Sequence, residues 1–451
     1  MTATATTWTL HETARDNGRR LSPAPLAPQD KAAPAGSIAL DPAKTFQEIV
    51  GFGGALTEAA AWALAKLPAE RRREVIGAYF DPVHGIGYTL ARTHINSCDF
   101  SVKTWALAPE TGDHALKSFN LEPMREWVMP LLHDARDAAG DTLRFLASPW
   151  SPPAWMKTND SMLNGGKLRV DCRDAWARHY IRFFQAMRDE ESIEFWGFTV
   201  QNEPAAVQVW ESCVYTPEEE RDFIRDHLGP TLAASEFKDV RLISFDHNRD
   251  ILQAYAGAVF ADPEAAKYTW GAALHWYVCE DFTVTSKLLE QFPDKHVIFS
   301  EGCWEGGVKL GQWDRGSRYA RNIIGDLNNG VCGWIDWNIT LDITGGPNHV
   351  GNLCDAPVLV DPATGEVHFQ TSFHYLGHFS KFIRPGAVRI ENTNTTAGVE
   401  TTAFCNPDGS LAVVVHNPGE TAVDFTLKTP GETLACRIPP FAIQTYTRAA
   451  S

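Results

Sequence analysis

Eight short apolar runs alternate with amphipathic stretches of helical period between about residues 46 and 383, and this alternation constrains the fold more than any other feature. Strands separated by helices pair in parallel, because each helix returns the chain to the starting edge of the sheet. Eight such repeats predict an α/β fold of the (β/α)8 TIM barrel type. The runs lie in EIVGFGGALTEAAAWALAKL, YTLARTHINSCDF, LRFLASPWSPPAW, FWGFTVQNEP, VRLISFDHN, YTWGAALHWY, HVIFSEGCW and VCGWIDWNIT.

A doubly wound open sheet is the alternative for a strand–helix alternation. Nucleotide-binding sheets of that kind carry a glycine-rich phosphate loop after the first strand. The stretch GFGGAL does not match GxGxxG, and the chain has no GxxxxGK[ST] motif. The barrel is therefore favoured, and a dehydrogenase is disfavoured.

Both ends of the chain have a different pattern. From residue 384 onward, short alternating strands are separated by the turns NPDG and NPGE, which is typical of an antiparallel β-sandwich. Two similar pieces, ATTWTLHET and SIALDPAKTFQEI, lie near the N-terminus. We therefore expect residues 1–45 plus 384–451 to form an antiparallel β-sandwich side domain built from both termini, and residues 46–383 to form the catalytic barrel.

Charge and hydropathy exclude several classes of partner. A formal net charge of −16 argues against nucleic acid and against anionic membranes. No apolar run approaches the roughly 18 residues of a membrane span, and the N-terminus lacks a basic and apolar leader, so a cytoplasmic location is expected, or a secreted or periplasmic one if a leader has been removed. The nine cysteines form no CxxC pair, which predicts reduced thiols and no metal site.

Polar and aromatic residues concentrate where the predicted strands end. In a barrel, the loops after the strands form the active face, so these side chains should share one pocket. Carboxylates, amides and indoles suit a sugar, whose hydroxyls need hydrogen bonds and whose ring faces pack on aromatic rings. The strand-end residues are Arg92, His94, Asn96, Asp99, Trp150, Trp155, Asn202, Glu203, Asp246, His247, His275, Tyr277, Glu301, Trp304, Asp336 and Trp337.

Two glutamates end apolar strands in the same manner, Glu203 after the fourth and Glu301 after the seventh. One such glutamate alone is more often a helix cap or an ion-pair partner. In a closed barrel both would face one pocket, and a separation of roughly 5–5.5 Å is that of a retaining glycosidase. One carboxylate would attack the anomeric carbon and the other would protonate the leaving oxygen.

Neighbouring residues suggest supporting roles. Asn202 can hold a hydroxyl next to the reacting carbon, and Tyr277 can donate to Glu301, although a core tyrosine is almost as common. Arg92 lies inside the second strand and needs a carboxylate partner if buried, for which Glu301 is the natural candidate. His94 and His275 are interpreted by default as scaffold histidines. Because His275 lies at a strand end, it is also predicted to bind substrate.

Several motifs together resemble glycoside hydrolase family 30, in particular its glucosylceramidase (acid β-glucosidase) branch. They are GFGGALTEAAA, RTHINSCDFS, ASPWSPPAWMKTN, TVQNEP, HWY, SEGC, GWIDWN, GGPNHVGN and FHYLGHFSKFI, in order between about residues 46 and 384. The resemblance implies a barrel with a side β-sandwich, retention of anomeric configuration, Glu203 in QNEP as acid/base and Glu301 in SEGC as nucleophile. It also implies sugar-binding roles for Asp99, Trp150, Asn202, Trp337 and Asn352, with Tyr277 near the nucleophile.

The predicted function is hydrolysis of terminal β-D-glucosyl residues from a carbohydrate or glycoside substrate, without a metal or organic cofactor. Two features depart from the family branch: His349 stands where an aromatic residue is usual, and no export signal is visible. Both weaken the assignment of ceramide as aglycone. The alternatives are a β-1,6-glucanase, a β-xylosidase or a β-fucosidase, and more remotely a non-catalytic carbohydrate-binding protein.

Overall fold

A computed structural model describes residues 8–29 and 36–450. Residues 5–7 of the predicted N-terminal strand lie outside this part. The strands are β1 Trp8–Ala14, β2 Ser22–Ala24, β3 Ser37–Glu48, β4 Gly51–Ala55, β5 Leu90–Ile95, β6 Arg144–Pro149, β7 Phe195–Thr199, β8 Arg241–Asn248, β9 Thr269–His275, β10 His296–Glu301, β11 Val331–Asn338, β12 Thr340–Asp342, β13 Val358–Val360, β14 Val367–Phe369, β15 Val388–Asn394, β16 Glu400–Cys405, β17 Leu411–Asn417, β18 Val423–Thr429, β19 Glu432–Ile438 and β20 Ala442–Arg448.

Helices follow the barrel strands. They are α1 Glu58–Ala65, α2 Ala69–Phe80, α3 Glu122–Arg125, α4 Val128–Ala139, α5 Arg173–Glu191, α6 Pro217–Phe223, α7 Gly229–Ala233, α8 Leu252–Phe260, α9 Pro263–Ala266, α10 Thr283–Gln291, α11 Asp314–Asn328 and α12 Thr371–Ser380. A π-helical turn, Ile224–Leu228, joins α6 to α7. No helix within the described residues is both long and apolar enough to cross a bilayer.

The strands β4 to β11 close into a parallel barrel in chain order, with β11 paired to β4. All eight predicted strands are present, so the prediction of a (β/α)8 barrel is confirmed. Apolar side chains pack the interior of the barrel below the strand ends and leave the polar groups above them: Leu90, Leu146, Ile243, Ala273, Ile298, Cys332 and Ile335. Because this apolar cluster fills the interior, the polar site lies at the carboxyl end of the barrel.

Strands from both termini form one nine-stranded sheet, in the order β19-β18-β3-β15-β16-β17-β20-β1-β2. The prediction of a β side domain built from both ends of the chain is confirmed. Its pairings are antiparallel except that of β3 with β18, which is parallel. The sheet has its own apolar core, which includes Trp8, Ile38, Phe425 and Tyr446. His378 of α12 joins the two domains by hydrogen bonds to Thr13 and Thr445.

A small sheet of β12, β13 and β14 was not predicted from the sequence. Its strands have three residues each, which is too short for an alternating pattern to be recognised. Residues 343–357, between β12 and β13, pass over the carboxyl end of the barrel, and two of them line the cavity described next. We call the part from residue 343 to 355 the mouth loop.

Candidate active site

A cavity of about 280 Å³ opens at the carboxyl ends of the barrel strands. Eight of the sixteen strand-end residues line its wall, together with the predicted Asn352, so strand-end position brought half of them into one cavity. The lining residues are Asp99, Trp150, Asn202, Glu203, Gln208, Trp210, His247, Asn248, Tyr277, Glu301, Cys303, Glu305, Trp337, Asn352 and Cys354. The other eight strand-end residues do not line the cavity, and two of them with predicted roles, Arg92 and His275, are fully buried.

The two glutamates face each other across this cavity. Glu301 is the last residue of β10, and Glu203 follows β7 in a left-handed backbone conformation, with φ of 49°. That conformation is uncommon outside glycine, and the Glu203 amide is held there by a 2.8 Å hydrogen bond to the carbonyl of Asp246. One carboxylate oxygen of Glu203 lies within 4.8 Å of one oxygen of Glu301.

Arg92 lies beneath the cavity and organises it. Its guanidinium donates to Glu301 Oε2 at 2.6 Å, to Asp246 Oδ2 at 2.7 Å and to Asn202 Oδ1 at 2.8 Å. The predicted pairing of Arg92 with Glu301 is therefore confirmed, but Arg92 also has a second carboxylate partner. The rigid fork of donors orients Glu301 and the Asn202 amide at the same time.

Asp246 is the residue whose importance the sequence did not reveal. Its position at a strand end was visible, but it received no role. The register of β8 against β9 shifts between Ser244 and His247, and Asp246 there has a φ of 155°. This β-bulge turns the carboxylate inward, where Arg92 and His275 both bind it. Burial opposes ionisation, but the Arg92 charge and the His275 hydrogen bond lower the pKa of Asp246.

His275 is a fully buried bridge beneath Glu203 rather than part of the cavity wall. Its Nδ1 lies 3.3 Å from Glu203 Oε1 and its Nε2 lies 3.0 Å from Asp246 Oδ1. Both ring nitrogens of His275 already contact carboxylates. Its predicted substrate-binding role is therefore replaced by a positioning role, in which it orients Glu203. Burial would lower the pKa of His275, but the charge of Glu301 and the hydrogen bonds to Asp246 and Glu203 raise it to about 9.

The two glutamates experience different environments. Burial alone would raise the pKa of Glu203, but the hydrogen bond with His275 and the charges of His247 and His275 lower it. Burial raises the pKa of Glu301 against the charges of His275 and Arg92, and the charge of Glu203 raises it further. Tyr277 donates to Glu301 Oε1 at 3.0 Å, as predicted. Two close carboxylates thus compete for one proton.

Aromatic rings and amides complete the wall. Trp150 and Trp337 stack with ring centroids 5.2 Å apart, and the Arg92 guanidinium lies over Trp150 at 4.7 Å. Burial, with the charge of Glu301, raises the pKa of Asp99 to about 8. Asn352 donates to Asp99 Oδ2 at 3.2 Å. Asp99 can therefore both donate to and accept from a sugar hydroxyl.

Glu203, His275 and Glu301 offer three donor atoms within 4.8 Å, a spacing that a metal ion could use. These atoms are already engaged, since Glu301 accepts from Arg92 and Tyr277 and Glu203 contacts His275. A guanidinium 2.6 Å from Glu301 also repels a cation. The donor set therefore suits a proton-transfer pair better than a metal.

Replacing Arg92 with methionine should lower the free energy of unfolding by about 3–5 kcal/mol, because Asp246 and Glu301 would lose a buried cation. Urea denaturation measures the change. Arg249 is the matched control, since it is equally buried and paired with Asp326, but its hydrogen-bond partners Asn322 and Asp326 do not line the cavity, unlike Glu301 and Asn202 beside Arg92. Arg249→Met should destabilise the fold comparably yet spare the kinetics of the folded enzyme. An Arg92→Met protein as stable as the wild type would contradict the assignment.

A (β/α)8 barrel with two facing glutamates and stacked tryptophans in one pocket defines a glycoside hydrolase. The chain belongs to glycosyl hydrolase family 30: residues 49–383 match the Glycosyl hydrolase family 30 TIM-barrel domain, and residues 386–446 match the Glycosyl hydrolase family 30 beta sandwich domain.

Individual proteins are also similar to the chain. Lysosomal acid glucosylceramidase of Mus musculus is 37% identical over 433 residues, which cover 91% of this chain and 82% of the mouse protein. The crystal structure of SrfJ from Salmonella typhimurium superposes with a TM-score of 0.93 at 32% identity, covering 99% of this chain and 100% of that one. The endo-β1,6-glucanase BT3312 has a TM-score of 0.88 at 26% identity, with 98% and 100% covered.

Proposed function

We propose that the enzyme is a retaining β-glucosidase of the glucosylceramidase type, which removes terminal β-D-glucosyl residues by double displacement. The observation that carries the mechanism is the separation of Glu203 and Glu301, since one carboxylate oxygen of each lies within 4.8 Å of the other. Retaining enzymes hold the two carboxyl groups about 5–5.5 Å apart, whereas inverting enzymes need roughly 6.5–9.5 Å to admit a water molecule.

In the first step, Glu301 attacks the anomeric carbon while Glu203 protonates the glycosidic oxygen. The carbon–oxygen bond to the aglycone breaks, a glycosyl ester forms on Glu301, and the aglycone leaves as an alcohol. Arg92 and Tyr277 hold the attacking carboxylate in one orientation through donors at 2.6 and 3.0 Å. The stacked Trp150 and Trp337 and the amide of Asn202 fix the sugar beside it.

In the second step, a water molecule replaces the aglycone. Glu203, now a carboxylate, removes a proton from this water, and the resulting hydroxide attacks the anomeric carbon. The ester bond to Glu301 breaks and glucose leaves with its original β configuration. Gln208, 3.4 Å from Glu203 Oε2, and His247, 3.8 Å from Glu203 Oε1, keep this carboxylate at the pocket rim.

The first step needs the shared proton on Glu203, whereas in the free cavity the pKa of Glu203 is lowered and that of Glu301 is raised. Substrate can reverse this order, because a glycosidic oxygen accepts a hydrogen bond only from protonated Glu203. Protonation of Glu203 removes the charge that opposes ionisation of Glu301. Arg92 and Tyr277 then favour the Glu301 carboxylate.

The size of the cavity favours action at a chain end. At about 280 Å³ it is slightly smaller than the roughly 300–1,000 Å³ of pockets for drug-sized ligands. Such a volume suits one sugar ring and not a row of rings. The mouth loop also closes one side, since Asn352 and Cys354 belong to the wall.

The surroundings of the cavity favour an apolar aglycone. Four large apolar side chains that neighbour cavity-lining residues in the sequence are 37% to 68% exposed, so an apolar partner could pack on them. A glycolipid such as glucosylceramide would supply that partner, and its hydrolysis would place the enzyme in sphingolipid metabolism. These side chains are Val207, Val209, Val278 and Leu353.

An endo-acting β-1,6-glucanase is the second candidate, because the chain superposes closely on the endo-β1,6-glucanase BT3312. Such an enzyme needs space for sugar rings on both sides of the cleaved bond. A polar groove, rather than exposed valines and leucines, would be expected on the aglycone side. The small cavity and the exposed apolar side chains beside it therefore support the glucosidase.

Hydrolysis of a substrate panel tests this function. We expect octyl β-D-glucoside and glucosylceramide in detergent micelles to be cleaved with a higher kcat/KM than gentio-oligosaccharides, because apolar aglycones can pack on the rim. Nitrophenyl β-xyloside and β-fucoside test the sugar itself. Faster cleavage of internal bonds in gentio-oligosaccharides would instead establish the glucanase, and product analysis by chromatography separates end-wise from internal cleavage.

A further inference from the structure

His349 contacts two other parts of the active face from the mouth loop. Its Nδ1 lies 3.0 Å from the carbonyl oxygen of Asp99 and 3.2 Å from that of Ser101, both after β5. Its Nε2 lies 3.2 Å from Glu211 Oε2, which belongs to the segment after β7. The His349 side chain is 11% exposed, so these contacts replace most of its hydration.

The partners of His349 define its protonation state. Carbonyl oxygens only accept hydrogen bonds, so Nδ1 carries a proton, and Nε2 faces a carboxylate. The ring is therefore a cation when both contacts form. Burial would lower the pKa of His349, but Glu211 and the two carbonyls raise it. The position of the Glu211 carboxylate is fixed, since the buried Glu211 also accepts a hydrogen bond from Ser97 Oγ at 2.6 Å.

Other titratable groups surround this pair. Besides Glu211, the segment after β5 that His349 contacts carries three titratable groups: Asp99, whose backbone carbonyl His349 contacts, Cys98 and Lys103. Thr104 Oγ1, at 3.4 Å from Nε2, is neutral. On the far side, Lys157 and His94 interact with the charge of Glu211.

The same loop delivers two amides to the sugar site. Asn348 and Asn352 donate to Asp99 Oδ2 at 3.4 and 3.2 Å. Asn348 Oδ1 in turn accepts from the backbone amides of Val350 and Asn352, which makes residues 348–352 a compact turn with His349 at its centre. Any displacement of His349 therefore moves the groups that orient the Asp99 carboxyl.

We propose that His349 is a positioning residue whose cation, paired with Glu211, clamps the mouth loop over the cavity and so sets how tightly the sugar is bound. This inference rests on the proposed glucosidase function for its kinetic consequence only. Stabilisation by a histidine with a raised pKa is complete at low pH and is lost as pH rises through that pKa. The clamp should therefore loosen, and KM should rise, as the pH increases above the ordinary pKa range of histidine.

The test compares His349→Gln with the wild type between pH 5.5 and 9, as assay conditions spanning roughly the range where histidine titrates. We expect His349→Gln to raise KM and the inhibition constant of glucose about tenfold at pH 6, the order of one lost charge-assisted hydrogen bond, with little change in kcat. The KM of His349→Gln should no longer respond to this ionisation.

Glu211→Gln should keep the response of KM to pH but shift it to lower pH, because the carboxylate that stabilises the cation is gone. His368→Gln, a surface histidine of β14, is the matched control and should match the wild type.

Hydrogen exchange of residues 343–355 tests the clamp without substrate. After correction for intrinsic exchange, protection of this segment should fall between pH 6 and 9 in the wild type and should already be low in His349→Gln at pH 6. Loss of protection without glucoside hydrolysis would uphold the clamp and overturn the proposed function. Equal protection and equal KM profiles in His349→Gln and the wild type would overturn the clamp itself.

Discussion

Replacing Glu301 with glutamine is expected to lower kcat for aryl β-glucosides by about 10⁴-fold or more, the scale observed when an enzyme loses its nucleophile. Glutamine retains the size of the side chain, and its carbonyl can still accept from Arg92 or Tyr277. It cannot form the glycosyl ester. Steady-state kinetics at saturating substrate measure the loss.

Glu305→Gln is the matched control for this substitution, because Glu305 also lines the cavity but has no contact with Arg92 or Tyr277 among the described hydrogen bonds. A loss below tenfold is expected. Incubation with 2-deoxy-2-fluoro-β-D-glucosyl fluoride, followed by peptide mass spectrometry, should locate the trapped sugar on Glu301. A label on any other carboxylate, or near-normal turnover by Glu301→Gln, would refute the assignment of the nucleophile.

Replacing Glu203 should have an effect that depends on the leaving group. For an alkyl β-glucoside, whose alcohol must be protonated to leave, Glu203→Gln should reduce kcat/KM by about 10²–10⁴-fold, the usual contribution of general acid catalysis. For 2,4-dinitrophenyl β-glucoside, which leaves without protonation, formation of the glycosyl ester should be almost unaffected. A burst of dinitrophenol followed by slow turnover is then expected, because no base activates the water.

Glu203→Ala provides the control for this second prediction. Azide can enter the space left by the carboxylate and attack the ester without base catalysis, so it should restore turnover and yield β-glucosyl azide. The β configuration of that product, determined by NMR, would demonstrate retention. An α product, or an equal loss of rate for both leaving groups, would exclude Glu203 as the acid/base and with it the double displacement.

Much of the fold followed from local patterns. The alternation of apolar runs with helical periods predicted all eight barrel strands, and the turn motifs predicted the β side domain. The three-residue strands β12 to β14 were missed, because such short segments show no period. The parallel pairing of β3 with β18 was also invisible, since the two strands are far apart in sequence.

The candidate site divides in a similar way. Glu203 and Glu301 could be selected because each ends an apolar strand, and a barrel brings strand ends together. His275 occupies a comparable position, yet the structure buries it beneath the cavity. Asp246 contacts Arg92 and His275 because of a bulge in β8, and no residue in this strand predicts a bulge. The pairing of His349 with Glu211 joins two loops that are distant in sequence.

By itself, the sequence determined which residues could do the chemistry and on which face of the barrel they would stand, because hydrophobic periodicity and chain order are local properties. Only the tertiary structure decided the distances between Glu203 and Glu301, between Arg92 and its carboxylate partners, and between His349 and Glu211. The physical reason is that ion pairs and proton competition change steeply over a few ångströms, and those distances are fixed by barrel closure, a bulge and loop packing.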